Sequence, residues 1–186
     1  KKVKIIACTF DIEGSLKERI ELIREEAETA VREGSTCLVL SDKNISNQKA
    51  SIPSILIVGA VHSHLVKLGL RGYCSLNVEC SDAMDTHSFA ILIGVGATTV
   101  NPYLAIDSIY QRFEKKLFGK FLYEECVERF VKSVNLGLLK IMSKMGISVI
   151  SSYRGGCNFE TVGLSTTIVR DFFPGVLSKI SGIGLT

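Results

Sequence analysis

Two spacings of apolar residues alternate along this chain. Val3 to Phe10 (VKIIACTF) is a β-branched, apolar run of the kind that fills a buried strand. Leu16, Ile20, Ile23, Ala27 and Ala30 or Val31 then recur at steps of three and four, the spacing of one helix face, with Lys17/Glu21 and Glu28/Arg32 as i,i+4 pairs on the wet side. Ser15 with Glu18 three residues later predicts the start of that helix as a capping box, and Gly34 predicts its end. Cys37 to Leu40 is the next predicted strand, and it runs into a polar loop of Ser41, Asp42, Lys43, Asn44 and Asn47.

Pro53 suits the first turn of a helix, and the apolar segment from there to Leu68, closed by Gly69, is too long for one strand. A nearly fully buried helix is expected there. Cys74 to Val78 reads as a strand, His87 to Ile93 as a short apolar helix and Thr98 to Asn101 as a strand. A helix-rich stretch follows to Met145, with Leu122, Cys126, Phe130, Val134, Leu138, Ile141 and Met145 in a helical stripe. Gly146 ends it, and Ile147 to Ser151 predicts a further strand. The repeated strand–helix order predicts an α/β fold with parallel strands alternating with helices, as in the units of a barrel or of a doubly wound sheet. One domain over residues 1–186 is expected from the length.

Composition narrows the class. With 46% hydrophobic and 22% charged residues and three prolines, the chain is that of an ordinary globular protein. Its net charge of +3 is scattered; the tight basic groups are Lys115–Lys116 and the terminal Lys1, Lys2 and Lys4. Nucleic-acid binding, which needs a continuous basic stripe, is not expected. Nor is a membrane span, because the richest apolar run, Ile55 to Val61, is far shorter than the roughly 18 residues a span requires. The chain shows no signal-peptide pattern and begins without methionine, as expected of a domain cut from a longer polypeptide. Six cysteines at positions 8, 37, 74, 80, 126 and 157 form no C-x-x-C pair, so reduced, mostly buried thiols in a cytoplasmic protein are expected.

Five features carry candidate chemistry. In "GAVHSHLVKLGLRG" (Gly59 to Gly72), His62 and His64 are two apart; on a helix they point to opposite sides and cannot share an ion, whereas on a strand they would share a face. "NVECSDAMDTH" gathers Glu79, Asp82, Asp85 and His87 after a strand, at the edge where α/β proteins bind ligands, although carboxylates there also serve as helix caps. Cys74 and Cys80 open a C-x5-C-x4-C iron–sulfur pattern whose third position is Asp85. Gly94-x-Gly96 has Thr99 where a dinucleotide motif needs glycine, and it precedes a strand. Arg154-Gly155-Gly156, after a predicted strand, has the setting either of an anion cradle or of a tight turn. A small enzyme using the Glu79–His87 cluster with Arg154 stays open as one reading.

Longer stretches carry a resemblance. "LSDK" (40–43), "IPSILIVGAVHSHLVKLGLR" (52–71), "VECSDAMDTHSFA" (78–90), "NPYLA" (101–105), "GLLKIMSKMGIS" (137–148) and "SYRGGCNFETVGL" (152–164) together resemble the large subunit of glutamate synthase. Against that pattern, Ser63 stands at a usual histidine, Met84 at a usual arginine, Ser88 at a usual histidine, and Cys157 and Asn158 at a usual glutamine and isoleucine. The resemblance implies most of the family's central domain, with a TIM-barrel-like, partial β/α barrel, reaching the border of the FMN domain. That domain holds no cofactor, joins the glutaminase, FMN barrel and β-helix domains, and borders the ammonia route; FMN and the iron–sulfur cluster belong to other domains. The parent turns glutamine-derived ammonia and 2-oxoglutarate into glutamate, with the small subunit as a further partner. This segment is then expected to be catalytically silent, with no metal site, and His62, His64, Glu79, His87 and Arg154 as candidate interdomain or anion contacts. A stand-alone scaffold derived from such a domain is the alternative.

Overall fold

The structure is a computed structural model that describes residues 2–185; Lys1 of the basic terminal group lies outside the described residues. The elements run β1 (Lys2–Ala7), β2 (Thr9–Asp11), α1 (Leu16–Arg32), β3 (Ser35–Ser41), β4 (Lys49–Ser51) and α2 (Ser54–Lys67). There follow β5 (Ser75–Glu79), α3 (Thr86–Gly94), β6 (Thr99–Asn101), α4 (Tyr103–Glu114) and α5 (Tyr123–Lys144). A single helical turn α6 (Ile150–Tyr153) leads to β7 (Glu160–Leu164), α7 (Thr166–Phe172) and β8 (Leu177–Ile183).

The main sheet has the order β1-β3-β5-β6 with every pair parallel, so each strand lies beside the one before it. The order never reverses, as it does in a doubly wound sheet, and this selects the barrel-type arrangement. Side chains alternate across the sheet. Ile6, Leu40 and Val78 form one register row, Leu38 and Leu76 another, and all are buried in one cluster with Ile20 and Ile23 of α1, Ile57, Val61 and Leu65 of α2 and Phe89 and Leu92 of α3. The helices thus cover one face of the sheet. Val3 and Ile5, on the other face, are 56% and 66% exposed.

Local chemistry sets the element ends. The Ser15 hydroxyl accepts from the Glu18 amide to start α1, and Asp85 accepts from the Ser88 amide at 2.8 Å to start α3. Gly69 and Gly146, with φ near +70°, let the chain leave α2 and α5 in the left-handed conformation. The first apolar run splits at Cys8: beyond it, β2 turns away and pairs antiparallel with β4. That short ribbon is built from the loops that follow β1 and β3, so it sits over the carboxyl ends of the sheet.

The strand expected at Ile147 to Ser151 does not form. No neighbouring sheet edge takes it up among the described residues; instead Ile147 and Tyr153 pack with Ala90, Met142 and Phe159 in a small second core, and Ile150–Tyr153 winds into one helical turn. Short apolar runs satisfy either geometry, and here tertiary contact chose the turn. The expected stripe on α5 is buried in its middle, at Cys126 and Val134, but Leu122 and Met145 at its ends are exposed.

The carboxy-terminal segment is seated by aromatic rings on glycines. A Cβ on Gly59 of α2 would run into the Phe173 ring and lie 2.9 Å from the Phe172 carbonyl, and one on Gly94 would run into the Phe159 ring. Arg24 of α1, 6% exposed, reinforces this: it donates to the Ala60 carbonyl, pairs with Asp171 at 3.0 Å and stacks 4.5 Å over Phe172. Gly59→Ala gains up to about 1 kcal/mol of helix propensity, but it overpacks against backbone at a cost of about 1–3 kcal/mol. The expected result is a net loss in unfolding free energy of about 1 kcal/mol by urea titration; a variant more stable than the parent would show that α7 does not sit on α2.

Candidate functional site

The carboxyl ends of β1, β3, β5 and β6 meet in one register row: Ala7, Ser41, Glu79 and Asn101. This edge is where a β/α barrel places its chemistry. Glu79 accepts from Ser41 Oγ at 2.7 Å and from Asn101 Nδ2 at 3.2 Å, and pairs with Lys43 Nζ at 2.7 Å. The lysine, then the serine and the amide, hold the Glu79 carboxyl below its ordinary range against the opposing cost of burial. Asp42 is buried and takes the Ser81 amide and hydroxyl at 2.9 and 2.6 Å. Asp82 takes the Ser54 amide and hydroxyl at 3.0 and 2.6 Å, so it tethers the start of α2 to the loop after β5.

The cations are equally committed. Arg19 donates to the Ala7 and Thr9 carbonyls at 2.6 and 3.1 Å, and Lys43 lies 5.3 Å from the Tyr103 ring centre. Burial, reinforced by Asp42, pushes the Tyr103 hydroxyl up to about 12, so it stays protonated. Apart from Asp42 Oδ1, which is buried without a hydrogen-bond partner, the charged groups of the edge are joined by charge-assisted hydrogen bonds that fix the βα loops to one another.

The histidines diverge as helical geometry requires. His64 faces α1, with Nε2 3.0 Å from Glu28 Oε2. His62 faces the loop between α3 and β6, where its Nδ1 accepts from Arg71 Nε at 3.1 Å, and the neutral ring therefore carries its proton on Nε2. A Cβ on Gly96 (φ +131°) would collide with this ring, so only glycine allows the close approach. Burial, then Arg71 and Arg154, push His62 down to about 4. Its ring also lines a cavity of about 400 Å³ with Phe159, Phe172, Phe173 and Cys157.

The remaining predicted residues are not gathered with these. His87 is exposed at the start of α3. Arg154 Nε donates to the Ala97 carbonyl at 3.0 Å and the Gly155 amide to the Gly94 carbonyl at 2.8 Å, so Arg154-Gly155-Gly156, which the sequence leaves open between an anion cradle and a tight turn, clamps the α3–β6 loop. Ala97 precedes β6 and Asn101 ends it, which puts Arg154 and Glu79 at opposite ends of a strand, roughly 13 Å apart by strand rise. One site cannot contain both. Cys74 and Cys80 likewise flank β5 at its two ends, so they cannot share a cluster. Burial pushes the Cys8 and Cys80 thiols up to about 12, far from the range of a nucleophile. Among the described residues no group of three or more His, Cys, Asp or Glu is arranged to hold a metal ion.

Sequence reasoning missed Arg19, Arg24 and Arg71, whose guanidinium groups bind backbone carbonyls. Arg24 had a signal: it lies four residues after Ile20 and three before Ala27, on the apolar face of α1.

Sequential parallel strands, helices on one face and ligand-edge side chains bound to one another define a β/α-barrel-type domain whose carboxyl edge is closed by its own residues. Solved structures agree on the fold: mutant flavocytochrome b2 with benzoylformate superimposes at a TM-score of 0.55 over 88% of this chain and 39% of that one, at 17% identity. The family model of the glutamate synthase central domain matches residues 1–165, and the chain belongs to that family. It is 51% identical over 183 residues to the glutamate synthase [NADPH] large chain of Azospirillum brasilense, covering 97% of this chain and 12% of that protein. It is 42% identical over 199 residues to the chloroplastic ferredoxin-dependent glutamate synthase of Spinacia oleracea, covering 99% and 12%. The chain thus spans about an eighth of these relatives.

The flavoprotein likeness raises the question of a flavin at the carboxyl edge. A flavin phosphate needs free cationic or N–H donors. Here Lys43 is taken by Glu79, Arg19 by carbonyls, and the Asp42, Glu79 and Asp82 carboxylates would repel it. These residues do not fit the group.

Two pH windows test the site. Between pH 6.5 and about 4 the unfolded chain protonates at His62 while the folded chain does not, so stability falls on acidification through that window, and His62→Gln removes this part of the slope. Glu79 has a depressed value when folded, so it stabilises above the ordinary 4.5 and loses that contribution as pH falls further. Glu79→Gln is expected to cost about 1 kcal/mol at neutral pH and to flatten the profile at the acid end. Urea titrations across pH check both; unchanged profiles would contradict these assignments.

Proposed function

We propose that residues 1–186 form one α/β unit, most of the central domain of a glutamate synthase large subunit, and that its work is mechanical. It joins the glutaminase domain to the FMN domain, borders the route of ammonia and carries no cofactor itself. FMN and an iron–sulfur cluster belong to other parts of the polypeptide, whose reaction combines glutamine-derived ammonia with 2-oxoglutarate and reducing equivalents to make glutamate. The observation that carries this reading is the carboxyl edge. In a fold built to present chemistry there, Glu79, Asp42, Asp82, Lys43 and Arg19 are all bound to neighbours of the same chain.

Large apolar side chains exposed on other faces support the linking role. Leu117 after α4, Leu136 and Leu139 on α5, and Val162 and Ile183 of the β7–β8 pair all stand in solvent here, and the rest of a large polypeptide is the natural cover for them. His87, exposed at the start of α3, is an interdomain contact on this reading, whereas His64 is held within the chain by Glu28. Six free cysteines, four of them buried, suit a reducing compartment such as the cytoplasm, and no described helix is long and apolar enough to cross a membrane.

The test is coupling. In a full-length polypeptide, Arg24→Ala loosens the seat of α7 and is expected to leave glutamine hydrolysis intact while less of the released nitrogen appears in new glutamate. The purified 186-residue chain is expected to show neither bound flavin nor glutaminase activity. Stoichiometric flavin on that chain, or a full-length variant as tightly coupled as its parent, would overturn the reading.

A further inference from the structure

The cavity of about 400 Å³ between α2, the end of α3 and the segment around α7 has no task in the linking role. Phe159, Phe172 and Phe173 give it aromatic walls, and the His62 ring and the Cys157 thiol line it as well. Its volume falls within the roughly 300–1,000 Å³ of small-molecule sites, which combine apolar walls with a few placed polar groups.

Two donors beside it are unspent. Arg71 donates to His62 Nδ1 and so leaves the ring proton on Nε2, which has no partner among the described residues. Arg154 spends Nε on the Ala97 carbonyl, and its terminal nitrogens have no partner among the described residues either. None of these nitrogens is sealed in the interior, so each reaches open space. Gly155, the neighbour of Arg154, lines the cavity, and the Arg154 charge lies near enough to His62 to disfavour protonation of its ring.

The surrounding charge favours an anion. Arg71 and Arg154 are half-buried and donate to carbonyls, and neither is paired with a carboxylate among the described residues. Burial and, more weakly, the Arg154 charge lower Arg71 from its ordinary value. Two neighbouring cations in a partly buried place carry a cost that a counter-ion offsets. Lys67, also in the cavity wall, pairs with Asp171, and Arg24 holds Asp171 too, so that carboxylate is already compensated.

We propose that this cavity binds a small organic monoanion, a carboxylate on an aromatic or branched apolar body. The body lies against Phe159, Phe172 and Phe173, and the carboxylate accepts from His62 Nε2 and the terminal nitrogens of Arg154. The turn at Arg154 thus clamps the α3–β6 loop with one nitrogen and offers the rest of its guanidinium to the ligand. A bare inorganic anion would leave the aromatic walls unused, and a neutral ring would leave the two cations without a counter-ion. The site goes beyond the linking role and does not depend on the reaction of the longer polypeptide.

Iodoacetamide alkylation of Cys157 in the full-length polypeptide, read on its own peptide by mass spectrometry, tests the site. Cys157 is exposed and lines the cavity, so an occupant shields it. Benzoate is the probe, at constant ionic strength, and benzamide is the neutral control of the same shape. Half-protection is expected at a benzoate concentration at least about 10-fold below that of benzamide, and Arg154→Gln is expected to erase this preference. The ratio measured on the parent decides the matter if Arg154→Gln fails to fold. Equal protection by the two probes, protection by neither, or a preference that survives Arg154→Gln would overturn the proposal. Equal protection by inorganic phosphate would make this a bare-anion site and overturn it. A Cys157 that does not react even without probe would show the cavity filled by the polypeptide itself, which overturns it as well.

Discussion

One-sided burial of the parallel sheet governs this structure. Ile6, Leu38, Leu40, Leu76 and Val78 are each at most 2% exposed beneath α1, α2 and α3. At about 25 cal/mol per Å² of apolar surface, this layer is the main source of stability for the βα units. It also fixes strand register, because a shift by one residue would turn Leu38 and Leu40 out of the core and bring Cys37 and Val39 in. Everything else is arranged with respect to that layer: the loops at one end of the strands, the clamps at the other, and an inner face that the helices do not reach.

The two ends of the sheet carry different polar devices. At the carboxyl end, carboxylates are the hubs, and Glu79 draws Lys43, Ser41 and Asn101 into one network. At the amino end, arginines are the hubs: Arg71 donates to the Cys74 and Gly96 carbonyls at 2.6 and 2.8 Å and to His62, while Arg154 holds Ala97. Each device ties loops of consecutive βα units together. The same residue types would serve a catalytic edge if their partners were lacking, so the distinction between a site and a brace lies in the partners.

Much of the fold was legible because local rules and the tertiary fold agree. Ser15 and Asp85 cap helices as their positions suggest, the glycines after α1, α2 and α5 end them, and His62 and His64 leave α2 on opposite sides. Where the two disagree, the sequence was misleading. Ile147 to Ser151 has strand composition but finds its apolar contact beside Met142 and Tyr153 rather than at a sheet edge. The ribbon of β2 and β4 was invisible because three-residue strands carry too little pattern to stand out from a loop.

The sequence by itself determined the succession of strands and helices, the face each helix buries and, through long ordered motifs, the family. These follow from residue spacing, which acts over one or two turns of chain. Tertiary structure alone decided that Glu79 pairs with Lys43 instead of a ligand, that Arg154 lies a strand's length from it, that Arg24 is buried, and that the inner face of the sheet stands uncovered. Each depends on residues 25 to 150 positions apart meeting across the sheet or between helices, and no spacing along the chain encodes which of several possible partners a charge will meet.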